Sequence, residues 1–308
     1  MRTAFIETLT ELADADERIF LLTADLGWRV IEQFADKHKT RFLNVGVAEA
    51  NMAGIATGLA QAGYIPFIYS IATFTSMRCY EQVRNGPLLH HLPVRVIGIG
   101  GGYAYGHAGP THYALEDLTI ARTQPGMTVL APADPAQTRS IIRATVNMPG
   151  PTYIRVGKGG NPEVSGLHGR FSFDKPELVR EGKDVLFVAC GGVVHEALQA
   201  AELLQKDGVD AAVAVQAHLS YAASTGLIAL LKNYRAVVSV EEGYAAGGLG
   251  SLLAETIAQE GLACRLSICG VKQPFSGASG SEIYMRAQCG LDPASLAQAT
   301  KPLLLGKS

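Results

Sequence analysis

Residues 41–85, RFLNVGVAEANMAGIATGLAQAGYIPFIYSIATFTSMRCYEQVRN, restrict the fold more than any other stretch of the chain. The short apolar run 42–47 reads as a buried strand, and Glu49 follows it directly. Residues 50–61 have helical spacing, with Met52, Ile55, Ala56 and Leu59 on one face and Gly63 as the stop. Residues 66–69 read as the next buried strand, and 73–85 as a second helix carrying Phe74, Tyr80 and Val83. A strand separated from the next by a helix pairs through a parallel crossover, so this alternation predicts a parallel sheet covered by helices. Glu49 then lies where a strand hands over to a helix N-terminus, the edge at which open α/β sheets place ligands. An acid there also has a plain role: it meets the positive end of the helix dipole, for a few tenths of a kcal/mol.

The remaining chain extends the pattern. Helix 3–15 precedes strand 18–24, which ends in the turn Asp25-Leu26-Gly27, and a short helix is expected over 31–38. Strand 92–99 runs into a glycine-rich loop that does not fit GxGxxG and has no ribose-binding acid after a following helix, which excludes a dinucleotide fingerprint. Helix 115–122, strand 127–131, helix 135–147 and strand 151–156 complete a first domain over residues 1–157. Residues 158–183, rich in Gly, Pro and charge, read as a linker. From 184 to 308 strands and helices alternate again, so the fold class is α/β with two successive, mostly parallel sheets covered by helices. A chain of 308 residues is long enough for two such cores.

Composition narrows the function classes. The formal net charge is −2 and no basic patch interleaves with aromatics, which argues against nucleic acid. The N-terminus carries acids by Glu7 and no apolar core, unlike a signal peptide, and no apolar stretch reaches membrane-spanning length. The five cysteines show no CxxC spacing and read as reduced thiols of a cytoplasmic protein.

Three ordered motifs, NVGVAEANMAGIATGLAQAG, TFTSMRCYEQVRN and GPTHYALEDLTIARTQPGMTVLAPAD, together resemble the pyrimidine-binding domain of the transketolase family. SVEEGYAAGGLGSLLAE resembles that family's C-terminal domain, where it helps pack subunits. The resemblance spans nearly the whole chain and implies thiamine diphosphate as cofactor. It makes Glu49 the carboxylate that hydrogen-bonds the cofactor's pyrimidine nitrogen and relays a proton, and Phe74 the ring that stacks on that pyrimidine. Asp25 and Leu26 inherit a cofactor-contacting turn, and His112 a place beside the reacting carbon.

The family holds the diphosphate and its metal, Mg2+ or Ca2+, on a separate domain with a GDG motif, which this sequence lacks. The resemblance therefore implies the C-terminal subunit of a split transketolase, active with an N-terminal partner in an α2β2 complex and moving a two-carbon ketol unit between carbohydrates. Gly100 stands where the family has a second histidine, and His107 and Ala108 where it has Glu-Asp. Arg29 replaces a small hydroxyl residue, and Lys158 lies where a phosphate-binding Arg is frequent. Arg29, His107 and Lys158 together suit an anionic sugar. Two alternatives are the β subunit of a 2-oxo acid dehydrogenase, against which GPTH and the TADLG turn argue, and a non-catalytic partner, against which Glu49 argues.

Overall fold

The computed structural model describes residues 1–274 and 277–304. The first sheet is built from β1 (Ile19–Thr23), β2 (Phe42–Asn44), β3 (Ile65–Ile71), β4 (Arg95–Ile99), β5 (Thr128–Leu130) and β6 (Thr152–Val156). All its pairings are parallel, in the order β2-β1-β3-β4-β6-β5. Its helices are α1 (Arg2–Ala15), α2 (Glu32–Lys37), α3 (Glu49–Gln61), α4 (Tyr80–Val83), α5 (Asp117–Arg122) and α6 (Pro135–Thr145). Adjacent strand residues face opposite layers: Leu21, Phe67, Ile97 and Ile154 pack with Phe5, Leu9, Ile141 and Ile142 of α1 and α6. Leu22, Ile68 and Val96 pack against Met52, Ala53 and Ala56 of α3. Each such large side chain contributes about 1.5–3 kcal/mol by burial. Asp134 starts α6 by accepting the Gln137 N–H at 2.7 Å, with Pro135 at the first helical position.

The second sheet contains β7 (Glu177–Arg180), β8 (Val185–Ala189), β9 (Ala211–Val215), β10 (Ala236–Tyr244) and β11 (Arg265–Val271), in the order β11-β10-β8-β9-β7. Only β7 runs antiparallel among these strands. Helices α7 (Val194–Lys206), α8 (Thr225–Leu231), α9 (Leu249–Gln259), α10 (Glu282–Gln288) and α11 (Pro293–Leu304) cover it. The domains are stitched at the β5 edge, where Ala131 N–H donates to Ala217 O and Leu219 N–H to Val129 O, both at 2.8 Å.

Three local expectations change. The run 42–47 is not a buried strand: β2 stops at Asn44, is the sheet's edge, pairs only with β1, and leaves Leu43 and Val47 exposed. The stretch 73–85 is not one helix. Two wide five-residue turns, 74–78 and 84–88, flank the single α turn of α4. Thr75 and Ser76 hydroxyls donate to carbonyls three or four residues back and compete with regular helix, while Pro87 brings no N–H to the second turn. Within 158–183, β7 is an ordered edge strand, short and without an alternating signature in its sequence.

Candidate active site

The C-terminal ends of the parallel strands β1, β3, β4 and β6 share one edge, and the sheet order reverses between β1 and β3. Such a reversal leaves a crevice between diverging connections. Glu49 opens α3 beside it and is 3% exposed. Its two carboxylate oxygens each accept from Arg78 Nη1 at 3.0 Å, and Ser70 Oγ at the end of β3 reaches Oε1 at 3.4 Å. Arg78 also lies over the Phe74 ring, its guanidinium carbon 3.6 Å from the centroid.

From Phe74 the contacts continue in a row. The His112 ring meets Phe74 edge-on at 5.4 Å between centroids and Tyr105 at 6.3 Å. Lys158 places Nζ 4.4 Å above the Tyr105 ring, and His112 Nδ1 is 2.8 Å from Thr111 Oγ1. Four positions singled out in the sequence, Glu49, Phe74, His112 and Lys158, are thus brought together. Arg78, Ser70 and Tyr105 were missed. For Arg78 the available signal was its i+4 spacing from Phe74.

Asp25 and Leu26 form a tied turn at the end of β1. Asn44 Oδ1 accepts from the Asp25 and Gly46 N–H groups at 3.0 Å, its Nδ2 donates to Asp25 Oδ1 at 3.3 Å, and Thr23 Oγ1 donates to Leu26 O at 2.8 Å. Asp25 has φ 55° and Arg29 φ 61°, a left-handed backbone that non-glycine residues adopt rarely and that clusters at functional turns. The Arg29 guanidinium and the His107 ring are exposed. Among the described residues neither makes a hydrogen bond, ion pair or ring contact to the row. Gly100 has φ 72°, and a Cβ there would strike the Tyr105 ring. Tyr105 therefore fills the room that a side chain at position 100 would need.

The residues fit an aminopyrimidine. Arg78 shows what the crevice accepts: a flat, N–H-bearing cation stacked on Phe74 and pointed at Glu49. Among the described residues no group of three or more His, Cys, Asp or Glu side chains is placed to hold a metal ion.

Behind the row, the second domain holds the glycine loop. Glu242 accepts the Tyr103 N–H at 2.9 Å and pairs with Arg286 at 2.7 Å, and Arg286 also pairs with Glu196 at 2.6 Å and with Glu282. Buried Arg155 pairs with Asp117 and donates to Glu242 O at 2.9 Å. Glu241 accepts the Leu249 and Gly250 N–H groups at 2.9 and 2.8 Å and so caps α9. In the SVEEGYAAGGLGSLLAE stretch, for which the resemblance implied a subunit-packing role, Glu241 and Glu242 brace this chain from within.

A family profile for the transketolase pyrimidine-binding domain matches residues 1–162, and one for the transketolase C-terminal domain matches 174–296. A 6-deoxy-6-sulfo-D-fructose transketolase subunit of a Clostridium species is 35% identical over 97% of this chain and 92% of its own length. A subunit of an apulose-4-phosphate transketolase of Phocaeicola vulgatus is 32% identical over 86% of each. A solved split-gene transketolase, described as an inactive β4 tetramer, superposes with a TM-score of 0.87 at 34% identity, covering 100% of this chain and 98% of that one. With both profiles in chain order and relatives of matching length, the chain belongs to the transketolase family, in which it comprises the pyrimidine-binding and C-terminal domains.

Proposed function

We propose that this chain is the C-terminal subunit of a two-component transketolase that moves a two-carbon ketol unit from a ketose to an aldose. The observation that carries the reading is the buried Glu49 carboxylate, directed at the group stacked on Phe74. Bound thiamine diphosphate supplies the carbon nucleophile that carries the two-carbon unit. Glu49 takes and returns a proton at the pyrimidine ring nitrogen. Phe74 orients the ring by stacking, worth roughly a kcal/mol. His112, beside Phe74, donates to the oxygen on the reacting carbon, and the Asp25-Leu26 turn borders the cofactor.

The diphosphate and a divalent metal, Mg2+ or Ca2+, belong in this reading to an N-terminal partner in a cytoplasmic α2β2 assembly. Exposed apolar groups around the strand ends support it: Trp28 is 82% exposed, Val47 71% and Met77 44%. Each follows the C-terminal end of one strand, β1, β2 or β3, so these apolar groups lie along the edge that also carries Glu49. The solved relative described as inactive is a tetramer of β chains, which fits a section that lacks half of its site.

The donor is a ketose with an anionic end, taken by Lys158 or Arg29 through charge-assisted hydrogen bonds. Two relatives are named for substrates that are not common transketolase sugars, one a sulfo sugar and one a phosphate. The test is kcat/KM of the reconstituted pair over ketose phosphates and modified ketoses, with Lys158→Ala and Arg29→Ala. An anionic donor should be best, and Lys158→Ala should raise its KM about tenfold, the value of a contact worth ~1.4 kcal/mol. Neutral donors turned over equally well, with KM unmoved by either substitution, would contradict the assignment.

A further inference from the structure

The guanidinium of Arg78 has the three properties that an aminopyrimidine needs in this crevice. It is planar, it stacks on Phe74 with its carbon 3.6 Å from the centroid, and it presents N–H to both oxygens of Glu49 at 3.0 Å. Two flat groups cannot share one ring face and one carboxylate. We infer that Arg78 is an internal plug, standing in the place of the cofactor's pyrimidine and keeping Glu49 paired until the cofactor displaces it; the inference rests on the function proposed above.

The surroundings allow the exchange. The Arg78 side chain is 44% exposed, whereas the Glu49 side chain is 2% exposed, so the cation can leave for solvent while the carboxylate stays fixed. Arg78 ends the wide turn 74–78, and the regular helix resumes only at Tyr80, so no continuous helix must unwind. Wide turns of this kind recur at functional sites. Ser70 Oγ, 3.4 Å from Glu49 Oε1, remains on the carboxylate after Arg78 has gone. Binding to this half of the site is then a replacement. Its apparent affinity is reduced by the fraction of time for which Arg78 occupies the crevice.

Thiamine without its diphosphate is the suitable probe, because it keeps the aminopyrimidine and lacks the group assigned to the partner. Titration calorimetry of the full chain with thiamine should give at least tenfold tighter binding for Arg78→Ala than for the wild type. Arg78→Lys should fall between them, because an ammonium keeps the charge that pairs with Glu49 but lacks the planar face that lies over Phe74. Phe74→Ala in the Arg78→Ala background should remove the gain. An Arg78→Ala chain that binds thiamine no tighter than wild type, or not at all, overturns the plug. Should that variant fail to fold, Arg78→Lys decides, with equal or weaker binding than wild type counting against it. If the plug fails while the reconstituted pair still transfers ketol units, the proposed function stands; if the wild-type pair binds no thiamine diphosphate, that function fails too.

Discussion

Glu49 differs from several other buried acids of this chain in what holds it. Asp117 faces the buried Arg155, Glu242 faces the buried Arg286, and Asp134 and Glu241 cap helix N-termini. Those partners cannot leave without breaking the fold, whereas the cation on Glu49 is the half-exposed Arg78. Glu49→Gln should therefore leave the fold intact and remove the proton relay. We expect exchange of the thiazolium C2 proton, followed by NMR in the reconstituted pair, to slow by roughly 10²–10⁴, the usual range for a positioned acid–base group. Unchanged exchange would reduce Glu49 to a helix-terminal acid. Glu49 was legible because its position needs only linear order, a strand, then the acid, then a helix. Arg78 was not, because its bond to Glu49 spans 29 residues and depends on how β3 and α3 pack.

At the scale of elements, helices with helical apolar spacing, such as α3 and α6, lie close to where their spacing put them, while β2, β7 and the 73–85 stretch do not. β2 and β7 each meet a single neighbouring strand, so burial imprints little pattern on them. The glycine loop 100–109 was visible as a loop, but not its bracing by α10, because Glu242, Glu282 and Arg286 lie far along the chain. That brace has a pH signature. Burial, then the nearby Glu242 charge, pushes the Glu282 carboxyl up to about 7 from its ordinary 4.5, with Arg286 and Lys158 opposing and Glu196 adding to the shift. An acid with a raised value in the fold contributes stability fully below 4.5 and loses it as pH rises through about 7. Between pH 5 and 8 the wild type should thus lose thermal stability relative to Glu282→Gln, whose neutral amide does not titrate. Parallel Tm-against-pH profiles for the two proteins would show that Glu282 does not carry the effect.

For the whole molecule, the parallel edge that collects Glu49, Phe74, His112 and Lys158 is also the edge that exposes Trp28, Val47 and Met77. In the proposed function, catalysis and association share this surface. Trp28→Lys and Val47→Lys should weaken binding to the N-terminal partner at least tenfold by sedimentation or calorimetry while leaving Tm within a few degrees, since both side chains are exposed in this chain. Unaltered affinity in both variants would move the interface elsewhere. The two-domain order was legible from repeated βα alternation, whereas the completing partner was legible only through the resemblance to a family whose diphosphate motif this sequence lacks. In the proposed function this chain holds half of one active site. That division is tested most directly by measuring ketol transfer, with thiamine diphosphate and Mg2+, for this chain alone, the N-terminal partner alone and the two mixed. Turnover is expected in the mixture and none in either chain alone; substantial turnover by this chain without the partner, or none with any ketose donor in a mixture shown to form a complex, would overturn the proposed function.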